Sequence, residues 1–147
     1  MDNTNQVRQQ VANMRRSLFD QGYLDDQFIQ LEDLQDDANP KFVEEVVTLY
    51  YNDSARLIQN IEQALFNRPI DFGKLDDYMH QFKGSSSSIG AKKVKIECQQ
   101  FRVYCIAGNA DGCSRTFQQI KQEYACLRRK LQTYFQLVSQ AGQAESA

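Results

Sequence analysis

Apolar residues recur at alternating steps of three and four along most of this chain, and its few prolines and glycines fall between the runs. A period near 3.6 predicts an all-α protein. A first helix is expected over about 5–21, where Val7, Val11, Met14 and Leu18 repeat. A short second one, about 25–36, carries Phe28, Ile29, Leu31 and Leu34, more apolar surface than so short a helix hides on one side. Asn39 before Pro40 reads as the start of a third, an N-cap followed by a proline whose missing N–H costs nothing at the first helical position. This helix should continue through Phe42, Val46, Leu49, Leu57, Ile61 and Leu65 to about residue 67, roughly 40 Å at 1.5 Å per residue. Arg68-Pro69 ends it, Asp71 caps a fourth, and Gly90 stands where a helix closes. A fifth, 91–107, places Val94, Cys98, Phe101 and Cys105 on one side. The sixth, about 111–139, repeats Phe117, Ile120, Tyr124, Leu127, Leu131, Tyr134 and Val138 as a narrow bundle seam, and the tail from 141 is expected to fray. Together these predict a single domain over 1–147: an antiparallel four-helix bundle at about 39–140, preceded by two additional N-terminal helices at about 1–38 that cap it.

The stretch HQFKGSSSS, 80–88, strains this reading, because a glycine and four serines in a row have the composition of a flexible linker. Phase argues otherwise. Leu75, Met79, Phe82, Ser86 and Ile89 keep the four, three, four, three spacing and lie within about 40° of a common direction. A helix broken at Gly84 has no reason to return Ile89 to register. The run is therefore helix, with Ser86 on its inner side, small enough for a neighbour to approach and able to bond the carbonyl one turn back. On the same helix His80 falls about 140° from the inner stripe, Lys83 about 80°, Gly84 about 180° and Ser87 about 120°. These four form one outward patch around the only histidine of the chain. A glycine inside a helix costs about 1 kcal/mol against alanine. One placed a turn above His80 leaves the imidazole open to something bulky.

Imidazole is the side chain that stays largely neutral, and therefore nucleophilic, near neutral pH. An exposed one can carry a phosphoryl group. Lys83, on the next turn, would offset the charge of the phosphoryl oxygens, and Ser87 would offer them or the ring a hydrogen bond.

Charge narrows the partners. The 24% of charged residues nearly cancel to a net −2, without the basic footprint of a nucleic-acid binder. The opening is polar and no apolar run approaches a membrane span, so a soluble, intracellular protein with no membrane partner is expected. Cys98, Cys105, Cys113 and Cys126 match no zinc or CxxC spacing and read as reduced, mostly buried thiols. No cofactor is expected, and no carboxylate cluster beside His80 offers a metal site.

HQFKGSSSSIGA resembles the signature of plant histidine-containing phosphotransfer proteins, the carriers of multistep His-Asp phosphorelays. The resemblance extends to GYLDDQFIQLEDLQDDANPKFVEEVVTLYYNDSARLI and QQIKQEYACLRRKLQTYF, and so to nearly the whole chain. It implies a six-helix fold without a kinase or nucleotide site. It also implies that His80, followed by Gln81, takes phosphate from the receiver domain of a hybrid sensor histidine kinase and passes it to a response regulator. Lys83 would assist electrostatically, Gly84 would admit the receiver's loops, and Arg102 would support the histidine. Mg²⁺ would sit on the receiver. Some family members have asparagine in place of the histidine and cannot be phosphorylated; His80 is present here. Members typically act as monomers in cytokinin-type signalling, in cytoplasm and nucleus. The surplus apolar residues of the second helix, Phe28 and Ile29, offer a docking patch beside His80, or else pack under the first helix.

Two other classes compete. A helical adaptor would bind receivers without transfer, leaving His80 incidental. A hydrolase using His80 with Ser87 would need an acidic orienter and an oxyanion site, and neither accompanies them.

Overall fold

The structure, a computed structural model, describes residues 3–146. Six helices follow one another: α1 (Asn3–Asp20), α2 (Asp26–Leu34), α3 (Phe42–Phe66), α4 (Phe72–Ile89), α5 (Lys92–Ile106) and α6 (Ala110–Ser146). Helices α3 to α6 close a ring in which α4 packs on α3 and α5, α6 packs on α5, and α6 returns more loosely to α3. Helix α1 lies along α6, and α2 bridges α3 and α4.

Capping explains most boundaries. Asp25 Oδ1 accepts the Gln27 N–H at 3.0 Å, and Asp71 Oδ1 accepts the Lys74 N–H at 3.0 Å. The start of α3 differs from the sequence expectation. Asn39 is not its N-cap: the Asn39 N–H is spent on Asp36 Oδ1 at 3.0 Å, within a turn that also carries Pro40. The helix begins at Phe42, and the cap comes from the end of α2, where Gln35 Oε1 accepts the Val43 N–H at 3.0 Å. Its first two turns are also rotated from expectation. Val43, Val47 and Tyr50 are buried while Leu49 is 64% exposed, because the Tyr50 ring reaches the core. At the other end α6 continues past 141, through Ser146. Ala, Gln and Glu dominate this segment, all good helix formers, and no proline follows Gly142.

The serine run is helical throughout. Gly90 closes it with φ +75°, and the Ala91 N–H reaches back to the Ser86 carbonyl at 2.9 Å, a Schellman-type end. A side chain at Gly90 would also strike Asp25 and the Phe28 amide, which crowd onto this turn. Leu75, Met79, Phe82, Ser86 and Ile89 are all buried, as their phase requires. Phe82 sits in an aromatic cluster with Tyr50 and Tyr124, centroids 6.4 and 6.1 Å away. Burying such a side chain contributes about 1.5–3 kcal/mol, so α4 is fixed from behind. Ser86 does not bond back along its own helix as expected. Its Oγ meets Tyr50 Oη across the α3–α4 interface at 2.9 Å.

Candidate functional site

His80 stands exposed at the middle of α4, its side chain making no hydrogen bond or ion pair among the described residues. Gln81 beside it is exposed as well. One turn above, a Cβ built on Gly84 would have nothing within 4 Å, so the space over the imidazole is open. Lys83 is half-buried against α5, and its Nζ donates to Gln99 Oε1 at 2.5 Å. Ser87 is half-buried two turns above His80, next to the helix end where its carbonyl accepts the Gly90 N–H at 3.1 Å.

Arg102 does not bond His80. It reaches from α5 to Asp76, with Nε to Oδ1 at 2.9 Å and a second guanidinium nitrogen to Oδ2 at 3.4 Å. That hydrogen bond, with the carboxylate's charge, raises the Arg102 pKa. Asp76 lies one turn before His80 on the same side of α4. Neither Asp76 nor Gln99 stood out from the sequence. The i, i+4 spacing of Asp76 and His80 was visible there, but their α5 partners depend on how α4 and α5 align.

The second helix corrects another expectation. Phe28 is fully buried, edge-on to Phe19 and Tyr134 at 6.1 and 6.5 Å, and is unavailable to a partner. Ile29 is 37% exposed but lines a hollow with Ala12, Arg16 and Phe19 of α1. Leu31 is buried as well, whereas Leu34 is 65% exposed, so the apolar residues of α2 divide between the core, the hollow beside α1 and solvent.

His80 lies on the exposed surface of α4. A groove of about 850 Å³ lies elsewhere, between the end of α2, the start of α3 and the last turns of α6, and no α4 residue lines it. Among the described residues no group of three or more His, Cys, Asp or Glu side chains could hold a metal ion. No helix described is long and apolar enough to cross a membrane. Cys98, Cys105 and Cys113 are buried and Cys126 is half-buried. Burial pushes the Cys98 thiol up to about 12, which keeps it protonated.

An open imidazole on a helix packed from behind, with a lysine three residues on and open space over Gly84, is the arrangement a phosphoryl carrier needs, and residues 45–130 match the Hpt domain family. The chain belongs to that family, which includes histidine-containing phosphotransfer proteins of phosphorelays and relatives called pseudo phosphotransfer proteins. It is 69% identical over 116 residues to histidine-containing phosphotransfer protein 4 of Arabidopsis thaliana, covering 79% of this chain and 91% of that protein. It is also 56% identical over 141 residues to pseudo histidine-containing phosphotransfer protein 5 of Oryza sativa subsp. japonica, covering 96% and 93%. The crystal structure of a histidine-containing phosphotransfer protein from Medicago truncatula superposes with a TM-score of 0.90 at 43% identity, covering 94% of each chain.

Proposed function

We propose that His80 receives the phosphoryl group from the phosphoaspartate of a hybrid sensor kinase's receiver domain and passes it to the aspartate of a response regulator. A lone pair on one ring nitrogen forms the N–P bond as the P–O bond to the aspartate breaks, and the carboxylate leaves with its electron pair. The second transfer reverses these roles. Lys83 offsets charge on the phosphoryl oxygens, Gly84 leaves room for the receiver's loops, and Gln81 and Ser87 border the approach. Mg²⁺ belongs to the receiver's acidic pocket, and this chain works as a monomer without a cofactor of its own. Cytokinin-type signalling, in cytoplasm and nucleus, is the setting the family resemblance suggests.

The observation that carries this reading is the conjunction at one exposed face: the only histidine of the chain, a lysine one turn on, and open space over Gly84. The relatives called pseudo phosphotransfer proteins favour a second reading, an adaptor that binds receivers without accepting phosphate. Incubation with a phosphorylated receiver separates the two. The protein should gain acid-labile, alkali-stable phosphate and give it up to a second receiver. Binding without phosphate gain would establish the adaptor instead.

A further inference from the structure

Two cations bridge α4 to α5 on the His80 side, and they are tied to partners of different charge. Lys83 donates to the neutral amide of Gln99 at 2.5 Å. Arg102 donates to the carboxylate of Asp76 at 2.9 and 3.4 Å. An amide orients an ammonium without cancelling its charge, whereas a carboxylate in a two-point contact cancels most of it. Lys83 therefore keeps a charge to offer, and Arg102 has largely spent its own.

What Arg102 spends it on matters for the imidazole. Side chains four apart on a helix have Cβ atoms about 5–6 Å apart, so Asp76 faces His80 from the turn below. Asp77, exposed and three residues before His80, adds a second carboxylate. A phosphoryl group on His80 brings about −1.5 to −2 charges into this neighbourhood. By helical spacing Asp76, Asp77 and Lys83 share His80's part of α4, and Arg102 of α5 is joined to Asp76. On the opposite, inner side of α4 the Ser86 hydroxyl meets uncharged Tyr50 of α3, and at the Gly90 turn Asp25 is itself paired with Lys95 at 3.4 Å.

We propose that Arg102 acts through Asp76: it neutralises the carboxylate that would repel an incoming phosphoryl group, and leaves Lys83 to meet that group directly. Arg102 is thus a positioning and shielding residue, and Asp76 a liability that it covers. This inference rests on the phosphotransfer reading of His80.

The test is the rate of phosphate gain from a phosphorylated receiver in four proteins. Arg102→Ala should slow it about tenfold, and Arg102→Lys, which keeps the charge, should slow it far less. Asp76→Asn combined with Arg102→Ala should return it to within about twofold of wild type, since the repelling charge is gone. The Arg102→Ala deficit should also shrink as salt is raised from about 0.05 to 0.5 M, because exposed charges are screened. A double variant as slow as Arg102→Ala, or a deficit indifferent to salt, would overturn the inference and point to direct contact or a packing role. An Arg102→Ala protein as fast as wild type would overturn it too. Absence of phosphate gain in the wild type, or its persistence in His80→Gln, would instead bring down the phosphotransfer reading, and this inference with it.

Discussion

On the inner side of α4, Leu75, Met79, Phe82, Ser86 and Ile89 are shielded from water, whereas on its outer side His80, Gln81 and Gly84 stand open to it. Both sides use small residues, for opposite ends. Ser86 is small so that Tyr50 of α3 can reach in and bond it at 2.9 Å. Gly84 is small so that nothing fills the space above the imidazole. One helix thus carries two separable sets of demands: packing that holds the bundle, and exposure that lets a partner reach His80. The same composition that suggests a linker serves both once it is wound into a helix.

Substitutions on the two sides should fail in different ways. The largest effect is expected outside: His80→Gln should abolish phosphate gain from a receiver while leaving the melting temperature nearly unchanged, since surface changes usually stay within about 0.5 kcal/mol. Inside, Phe82→Ala should cost about 3–5 kcal/mol in a urea melt, because it leaves a cavity against Tyr50 and Tyr124. Gly84→Gln should split the two properties, raising helix stability by about 0.5–1 kcal/mol while weakening receiver binding several-fold by obstruction. Binding of Gly84→Gln at wild-type strength would remove the access argument. The smallest effect belongs to Tyr50→Phe, which leaves the Ser86 hydroxyl without its partner and should cost about 1 kcal/mol with transfer unchanged.

Local signals in the sequence reached as far as local physics does. The phase of Leu75, Met79, Phe82, Ser86 and Ile89 marked the serine run as helix, and Asp71 and Gly90 marked its ends, because caps and periodicity act within a few residues. The start of α3 was misplaced since its cap, Gln35, comes from the preceding element, eight residues away. Phe28 and Ile29 could not be sorted by spacing, as a nine-residue helix meeting α1, α3, α4 and α6 residues has no single inner side. At the site, the positions of His80, Lys83 and Gly84 followed from helical angles alone. Their α5 neighbours did not. Which residue of α5 meets Lys83, and that Arg102 would take Asp76 rather than His80, is set by the antiparallel alignment of two helices, and no spacing in the chain encodes it.

The account depends most on a phosphoryl group residing on the imidazole of α4. Because the chain has one histidine, a ³¹P NMR spectrum of protein treated with a phosphorylated receiver addresses this directly. A phosphoramidate resonance should appear in the wild type and vanish in His80→Gln, with the circular dichroism of the two proteins superimposable. The same resonance in His80→Gln, or none in a wild type shown to bind the receiver, would contradict it.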